Sequence, residues 1–298
     1  MSFEQVLGRL GEMQVTADAL AAVTARLRAT ADGLSLDPAV AGALDRVAAT
    51  LGIDLSDLSL EQAAVLANTA RGYFQQAADL VEHPDRPLGW MHADPSMLRS
   101  QGQGSAALAA VFAMLAPTLD GLAEALDRPG ATFLDVGSGI GALSVALCRR
   151  WPQVRVVGLE PWDVPMVLAE ANVAASGFEN RIDLRPIGIA DLADEGAFDA
   201  AWLVTPFFPA EVVPVALARS LAALRPGGWV LFGLWAGPEG LLARECQRLR
   251  VLRWGGHPFE PEEAAAMIRQ AGFDDVRALD RTWPAPVELV VGRRPTTA

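Results

Sequence analysis

The order of apolar runs in residues 105–298 predicts an α/β fold, a Rossmann-like seven-stranded and mostly parallel sheet with helices on both faces. Two observations support this prediction. Strand-like runs alternate with helical segments along this part of the chain. A glycine turn at 137–141 directly follows the first run and opens a helix. Residues 1–104 differ, because alanine and leucine recur there at helical spacing without a strand-like run, which predicts an all-helical N-terminal domain.

Three helices are predicted early in this first domain. One extends over residues 3–28, and Asp37 before Pro38 is typical of an N-cap and first-turn proline that open a second. Ser59 and Gln62 form a capping-box pattern that opens a third, longer helix. Such a domain can mediate dimerisation, cover an active site or only bury a flank of the second domain, and the sequence leaves these roles open.

Seven strand-like runs follow in the second domain. They are Ala131–Leu134, Val154–Leu159, Ile182–Ile187, Phe198–Val204, the run that ends at Phe232, Val276–Leu279 and Val287–Gly292. The last two runs are joined by a short connection, which predicts an antiparallel hairpin at one edge. Ligands of parallel sheets bind at the carboxyl ends of the strands, which is where Asp135, Glu160, Ile189 and Thr205 are expected.

The glycine turn predicts close approach of the backbone to a nucleoside-containing cofactor, because glycines allow sharp turns and present no Cβ. Read as Gly137-x-Gly139-x-x-Ala142, the turn fits a relaxed dinucleotide fingerprint. Asp135 favours another ligand, because a carboxylate is unfavourable beside a pyrophosphate but suits an ammonium and a sulfonium.

Read as Asp135-x-Gly137-x-Gly139-x-Gly141, the turn resembles the first motif of the class I S-adenosylmethionine-dependent methyltransferases of small molecules. Three further segments are similar to later motifs of that family. They are the strand that begins at Phe198, the strand that follows Gly227-Gly228 and the segment Ala271–Phe273. The resemblance covers roughly residues 105–294 and implies S-adenosyl-L-methionine as the cofactor.

The same resemblance implies that Glu160 binds the two ribose hydroxyls, since a carboxylate can accept both hydrogen bonds. The adenine contact stays open between Asp191 and backbone groups near Ile189. The full set of cofactor residues expected from the resemblance is Asp135, Gly137, Ser138, Gly139, Gly141, Glu160, Pro161, Trp162, Ile189, Asp191 and Thr205.

Residues that contact the methyl acceptor are expected in two segments. Phe207 and Phe208 follow the fourth strand and predict an aromatic wall. Trp90 and Met91 belong to an irregular, proline-rich segment and are expected either to fill a domain interface or to line a ligand pocket. The segment after the fourth strand lacks the acidic residues that metal-dependent relatives use to bind magnesium, so no metal is expected.

His92 and His257 are the candidates for a catalytic base, because imidazole titrates near neutral pH. Both residues also fit purely structural roles. Methyl transfer from a sulfonium needs a base only when the acceptor must lose a proton, so a missing base would not exclude the reaction.

Composition excludes several classes of function. A net charge of −12 opposes nucleic-acid binding, and the absence of lysine excludes Schiff-base chemistry. No apolar run of membrane-spanning length is present, and the first residues do not resemble a secretory signal. With two cysteines and no disulfide framework, a cytoplasmic location is expected.

We therefore expect a metal-independent S-adenosylmethionine-dependent methyltransferase that acts on a small, largely apolar or aromatic molecule, in a biosynthetic pathway. The N-terminal helices are expected to allow a homodimer, and neither nucleic acid nor a membrane is expected as a partner. Two alternatives remain at this stage: an enzyme of the same fold with a non-methylating reaction, and a cofactor-binding regulatory or scaffold protein. A nicotinamide enzyme ranks last.

Overall fold

A computed structural model describes residues 1–90 and 94–296. Its contacts divide the chain into two compact units, Met1–Pro84 and Asp85–Ala298. The sequence placed the boundary after residue 104, twenty residues later. The division is earlier because the helix Pro95–Gln103 packs within the second unit, where Gly102 lies against Ile140.

The first unit consists of α1 (Phe3–Ala31), α2 (Pro38–Thr50) and α3 (Leu60–Glu82). Asp37 accepts hydrogen bonds from the first amides of α2, and Ser59 and Gln62 form the expected capping box on α3. The small core of this unit is formed by Val23, Leu27, Ala48, Ala63 and Ala67.

The first half of α1 exposes an apolar stripe, which we call the α1 stripe. Its residues are Phe3, Val6, Leu10 and Met13, whose exposed fractions are 76%, 42%, 57% and 64%. Their spacing of three and four residues places them on one face of the helix. A stripe of this kind is typical of a helix that packs against a partner.

The second unit contains the predicted seven-stranded sheet, in the order β3-β2-β1-β4-β5-β7-β6. Strands β1 to β5 are parallel, whereas β7 is antiparallel to both β5 and β6, which confirms the predicted edge hairpin. The strands are β1 (Thr132–Val136), β2 (Arg155–Leu159), β3 (Ile182–Arg185), β4 (Phe198–Val204), β5 (Leu224–Trp235), β6 (Asp274–Leu279) and β7 (Val287–Arg293).

Helices cover both faces of the sheet and give two separate core clusters. They are α4 (Pro95–Gln103), α5 (Leu108–Leu115), α6 (Leu122–Asp127), α7 (Ala142–Arg150), α8 (Asp163–Ser176), α9 (Val213–Ala223), α10 (Leu241–Arg253) and α11 (Pro261–Gln270). The 3₁₀ turn Ala116–Thr118, which contains Pro117, and the left-handed Gly121 separate α5 from α6.

Gly102 lies inside α4. A Cβ on Gly102 would lie 2.5 Å from Cγ1 of Ile140. The glycine therefore permits close packing of α4 against the loop that follows β1.

A buried carboxylate anchors the amino end of the sheet. Asp199 is 4% exposed and accepts hydrogen bonds from Arg128, from Arg225 at 2.8 Å and from the backbone amide of Thr132 at 2.8 Å. Because a buried charge without partners is strongly destabilising, this cluster holds α6, β1, β4 and β5 together.

Within the described residues, no helix is long and apolar enough to cross a membrane.

Candidate cofactor and acceptor site

The loop after β1 folds back onto the end of β2. The amides of Gly137 and Ser138 both donate to the carbonyl of Leu159, each at 2.9 Å. Gly137, Gly139 and Gly141 have φ values of +75°, +56° and +72°, which L side chains rarely adopt. The loop is thus a series of left-handed glycines attached to the neighbouring strand, and it ends at the N-terminus of α7.

The three glycines have different spatial constraints. A Cβ on Gly137 would lie 2.9 Å from Val204, and one on Gly141 would contact Ala169 at 3.4 Å. These two glycines are therefore required by packing. A Cβ on Gly139 would have no atom within 4 Å, so Gly139 borders open space. That space is where the backbone can approach a bound molecule.

Asp135 and Glu160 lie at the carboxyl ends of β1 and β2, and both are buried. Oδ2 of Asp135 accepts a hydrogen bond from Oγ of Ser144 at 2.7 Å. The carboxylate of Glu160 accepts hydrogen bonds from the amides of Gly139 at 2.9 Å and Trp162 at 3.1 Å. The loop therefore lies beside two buried carboxylates and the open space at Gly139.

Burial changes the acidity of both groups. It raises the pKa of Asp135 from 3.8 to about 6, against the smaller effect of the Ser144 hydrogen bond. Burial also raises the pKa of Glu160 from 4.5 to about 6, and the charge of Asp135 adds to that rise while the amides of Trp162 and Gly139 oppose it. Two carboxylates that are costly to ionise suit a cationic ligand, which would stabilise their charged forms.

One further polar group fits a ligand at this loop. The hydroxyl of Ser138 is buried and has no hydrogen-bond partner among the described residues. Such a group is unfavourable unless a bound molecule or water satisfies it. The buried carboxylates and the open space at Gly139 together fit a ligand that carries positive charge.

The remaining cofactor candidates lie around the same edge of the sheet. Pro161 and Trp162 follow β2 directly, and Trp162 is 54% exposed beside Glu160. Ile189 and Asp191 share a 3₁₀ turn after β3, in which Ile189 is buried and Asp191 is exposed. Both options for the adenine contact therefore lie at the expected edge, and the choice between them stays a prediction.

Two of the residues that were expected to contact a ligand, Thr205 and Phe208, make contacts within the protein. The buried hydroxyl of Thr205 donates to the carbonyl of Gly233 at 2.6 Å, so it joins the ends of β4 and β5. The hydroxyl donor of Thr205 is therefore used within the fold, and a contact of Thr205 with the cofactor stays a prediction. The ring of Phe208 lies beneath Gly137, with Cε1 at 3.4 Å from the ideal Cβ position. Phe208 supports the glycine loop, and its contact with an acceptor stays a prediction.

Phe207 belongs to an aromatic cluster with Trp90, Trp235 and Trp254. Its ring stacks on Trp254 with centroids 4.7 Å apart and contacts the edge of Trp90 at 5.0 Å. Trp235 meets Trp254 edge-on at 4.9 Å. Phe207 and Phe208 both follow β4 but have different neighbours. Of the two, Phe207 belongs to the aromatic cluster.

His257 lies beside a cavity of about 380 Å³ at the carboxyl ends of β4 and β5. Its side chain is 42% exposed, and Nε2 lies 3.9 Å from Oε1 of Glu263. Pro206, Trp235 and Phe259 also line this cavity. His92 and Met91 lie outside the described residues, so their predicted roles stay predictions.

Sequence reasoning missed three residues of the site. Ser144 binds Asp135, Asn172 of α8 binds the loop carbonyl of Ile140 at 2.8 Å, and Trp254 completes the aromatic cluster. Ser144 had a local signal, because it lies in the first turn of the helix that the loop opens. Asn172 and Trp254 had none, since their contacts join distant parts of the chain. In the described part of the chain, no group of three or more histidines, cysteines or acids could hold a metal ion.

Comparisons with known proteins agree with this geometry. A family model described as "Methyltransferase domain" matches residues 133–228, which include the glycine loop, Glu160 and β4. The chain is 34% identical over 195 residues to nocamycin O-methyltransferase of Saccharothrix syringae, covering 55% of this chain and 68% of that protein. The chain belongs to the class I S-adenosylmethionine-dependent methyltransferases.

Other relatives are matched over part of their length. This methyltransferase is 32% identical to a ubiquinone biosynthesis O-methyltransferase of Xanthomonas campestris, covering 51% of this chain and 66% of that protein. The PigF methyltransferase of a Serratia strain is 27% identical over 61% of this chain, with 54% of its own length covered. The matched segments of the relatives thus span between about half and two thirds of their length.

The fold of this methyltransferase also matches solved structures. Human N-acetylserotonin methyltransferase, in complex with S-adenosylmethionine, aligns with a TM-score of 0.64 at 17% identity, covering 99% of this chain and 100% of that one. An O-methyltransferase family protein of Burkholderia thailandensis aligns with a TM-score of 0.64 at 16% identity over the whole of both chains. S-adenosylmethionine is the cofactor of this methyltransferase.

We predict that Gly139→Ala weakens cofactor binding more than it destabilises the fold. The added Cβ would occupy the open space at the loop and would also strain a backbone with φ of +56°. The strain costs about 1–2 kcal/mol of folding free energy. Titration calorimetry with S-adenosylhomocysteine, with urea unfolding beside it, measures both effects.

Gly196→Ala is the matched control, because Gly196 has the same φ of +56°, has no atom within 4 Å of its ideal Cβ and precedes β4 at the opposite end of the sheet. Its stability should fall by a similar amount with an unchanged Kd. An equal Kd for the Gly139→Ala chain and the parent would place the cofactor elsewhere.

We predict that Asp135→Asn alters stability and binding in opposite directions. The pKa of Asp135 is higher in the folded protein, so folding is favoured below about pH 4 and disfavoured as pH rises through about 6. Without ligand, the unfolding free energy of the variant relative to the parent should therefore increase between pH 4 and pH 7, by about 2–3 kcal/mol.

The same variant should bind S-adenosylmethionine more weakly at pH 7.5, because the ammonium and sulfonium groups of the cofactor would lose the attraction of the buried Asp135 carboxylate. Urea unfolding at several pH values and calorimetry test the two parts. A stability difference that does not change with pH would show that Asp135 ionises in the folded protein as easily as in the unfolded chain.

Proposed function

We propose that this methyltransferase transfers the methyl group of S-adenosylmethionine to a hydroxyl oxygen of a small aromatic molecule, in a biosynthetic pathway and without a metal ion. The aromatic cluster of Trp90, Phe207, Trp235 and Trp254, beside the carboxyl end of β4, is the observation that carries the proposal. Aromatic walls bind planar rings through offset and edge-on contacts.

The relatives support oxygen as the atom that is methylated. Nocamycin O-methyltransferase and the ubiquinone biosynthesis O-methyltransferase both carry this chemistry in their names and share about one third of their aligned residues with this chain. Similarity of this extent supports a class of reaction, and the aromatic acceptor is proposed from the aromatic cluster.

Within this proposal the cofactor supplies an activated methyl group on a sulfonium, and the protein binds and orients both reactants. Asp135, Glu160 and the glycine loop would hold the cofactor. Phe207 and Trp90 would position the acceptor ring, and His257 would accept the proton of the hydroxyl. General base catalysis of this kind contributes about 10²–10⁴-fold in rate.

We also propose that two copies of the chain associate through the α1 stripe. Exposed apolar residues on one helical face are unfavourable in water, and a second copy presents the same face for burial. We propose a cytoplasmic location, which the unpaired thiols of Cys148 and Cys246 favour.

Methyl transfer is tested with labelled S-adenosylmethionine and a panel of phenols, the corresponding anilines and the methyl ethers of the phenols. We expect label in a phenol whose product is one methyl group heavier, and none in the blocked ethers. Transfer to the anilines alone would show that nitrogen is the acceptor, and transfer to no compound would contradict an aromatic acceptor.

A second arm of that experiment tests the base. His257→Gln should lower kcat about 10²-fold or more, with an unchanged Kd for S-adenosylhomocysteine. His83→Gln is the control, because His83 lies in the first unit and pairs with Asp79. Equal rates for the two variants would exclude His257 as the base.

We predict that Leu10→Glu in the α1 stripe shifts the protein from dimer to monomer, because a carboxylate in a buried apolar interface lacks a partner. Sedimentation equilibrium measures the change in mass. Thr16→Glu is the control, since Thr16 is also exposed but lies on a different face of α1. A monomeric parent chain, or a Leu10→Glu chain that remains dimeric, would contradict the proposed interface.

A further inference from the structure

Ile140, in the centre of the glycine loop, is enclosed on several sides. Its side chain is 3% exposed and packs with Leu98 of α4, Leu168 of α8 and Trp90. Gly102 of α4 approaches it so closely that a Cβ there would overlap with it. Trp90 also belongs to the aromatic cluster, so Ile140 connects the cofactor loop with the proposed acceptor wall.

The backbone of Ile140 is held separately by α8. Nδ2 of Asn172 donates a hydrogen bond to the carbonyl oxygen of Ile140 at 2.8 Å, across 32 residues of sequence. One turn earlier on the same helix, Ala169 packs against Gly141, with its Cβ 3.4 Å from the ideal Cβ position of that glycine. Helix α8 therefore contacts both residues of the peptide that joins Ile140 to Gly141.

That peptide would be easy to rotate without a constraint. Gly141 follows it with φ of +72°, and glycine accepts positive and negative φ almost equally. Rotation of the peptide plane would turn the Ile140 carbonyl and the Gly141 amide together. It would break the hydrogen bond from the Gly141 amide to the carbonyl of Ser138, which is 2.9 Å long in the structure.

We propose that Asn172 is a positioning residue for the cofactor, acting through Ile140. Its amide holds the peptide between Ile140 and Gly141 in one orientation, and this keeps the turn from Ser138 to Gly141 in the shape that receives the ligand. The proposal rests on the glycine loop as the cofactor site. It adds to that site a residue of α8 that lies outside the loop motif.

The test compares Asn172→Ala and Asn172→Asp with the parent chain by titration calorimetry with S-adenosylhomocysteine at pH 7.5 and pH 5.0. Asn172→Ala should raise the Kd about fivefold to tenfold at both pH values, as the loss of one hydrogen bond predicts. Asn172→Asp should raise the Kd more than alanine at pH 7.5, because an ionised carboxylate faces a carbonyl and cannot donate.

The facing Ile140 carbonyl and partial burial raise the pKa of the introduced carboxyl group, so a larger fraction of it is protonated and can donate at pH 5.0 than at pH 7.5. The ratio of the Asn172→Asp Kd to the parent Kd should therefore be lower at pH 5.0 than at pH 7.5, a recovery that the alanine variant cannot show. Normalisation to the parent at each pH removes the effect of protonating Asp135 and Glu160, because all three chains share those groups.

Thr118→Val is the matched control. The hydroxyl of Thr118 donates to the carbonyl of Leu115 at 2.8 Å between α5 and α6, away from the loop. It should lower stability in urea without changing the Kd. The proposal is overturned if Asn172→Ala binds like the parent, or if the Asn172→Asp ratio is the same at both pH values. Binding by the parent chain tests the cofactor site separately.

Discussion

The site depends on one backbone carbonyl at the end of β2. Leu159 accepts the amides of both Gly137 and Ser138, so the loop after β1 bends across to the neighbouring strand instead of continuing straight. This bend requires three left-handed residues, which only glycine adopts without strain. It also brings the amide of Gly139 to the carboxylate of Glu160, and so joins the motifs of two strands in one site.

Burial of charge is the second constraint on the site. Asp135 and Glu160 are held away from water, where a carboxylate is less stable in its ionised form. Asp199, at the other end of the sheet, is equally buried but is neutralised by two arginines. A buried acid with arginine partners, such as Asp199, stabilises the fold. Buried acids without cationic partners, such as Asp135 and Glu160, favour a positively charged ligand.

The proposed acceptor side contains a cluster of aromatic contacts. Phe207 reaches the cluster because the chain turns immediately after β4, and Thr205 fixes that turn through the carbonyl of Gly233. Trp90 links this cluster to Ile140 in the glycine loop. The glycine loop and the aromatic cluster are thus joined by packing, as the proposed alignment of two bound molecules requires.

The sequence by itself determined the seven strands, the edge hairpin, the capped helices and the cofactor, because these depend on local periodicity, caps and a motif of consecutive residues. Tertiary structure decided which unit contains α4, how Phe207 and Phe208 diverge, that the Thr205 hydroxyl donates to Gly233, and that Asn172 binds the glycine loop while Trp254 joins the aromatic cluster. These features depend on contacts between residues far apart in the chain.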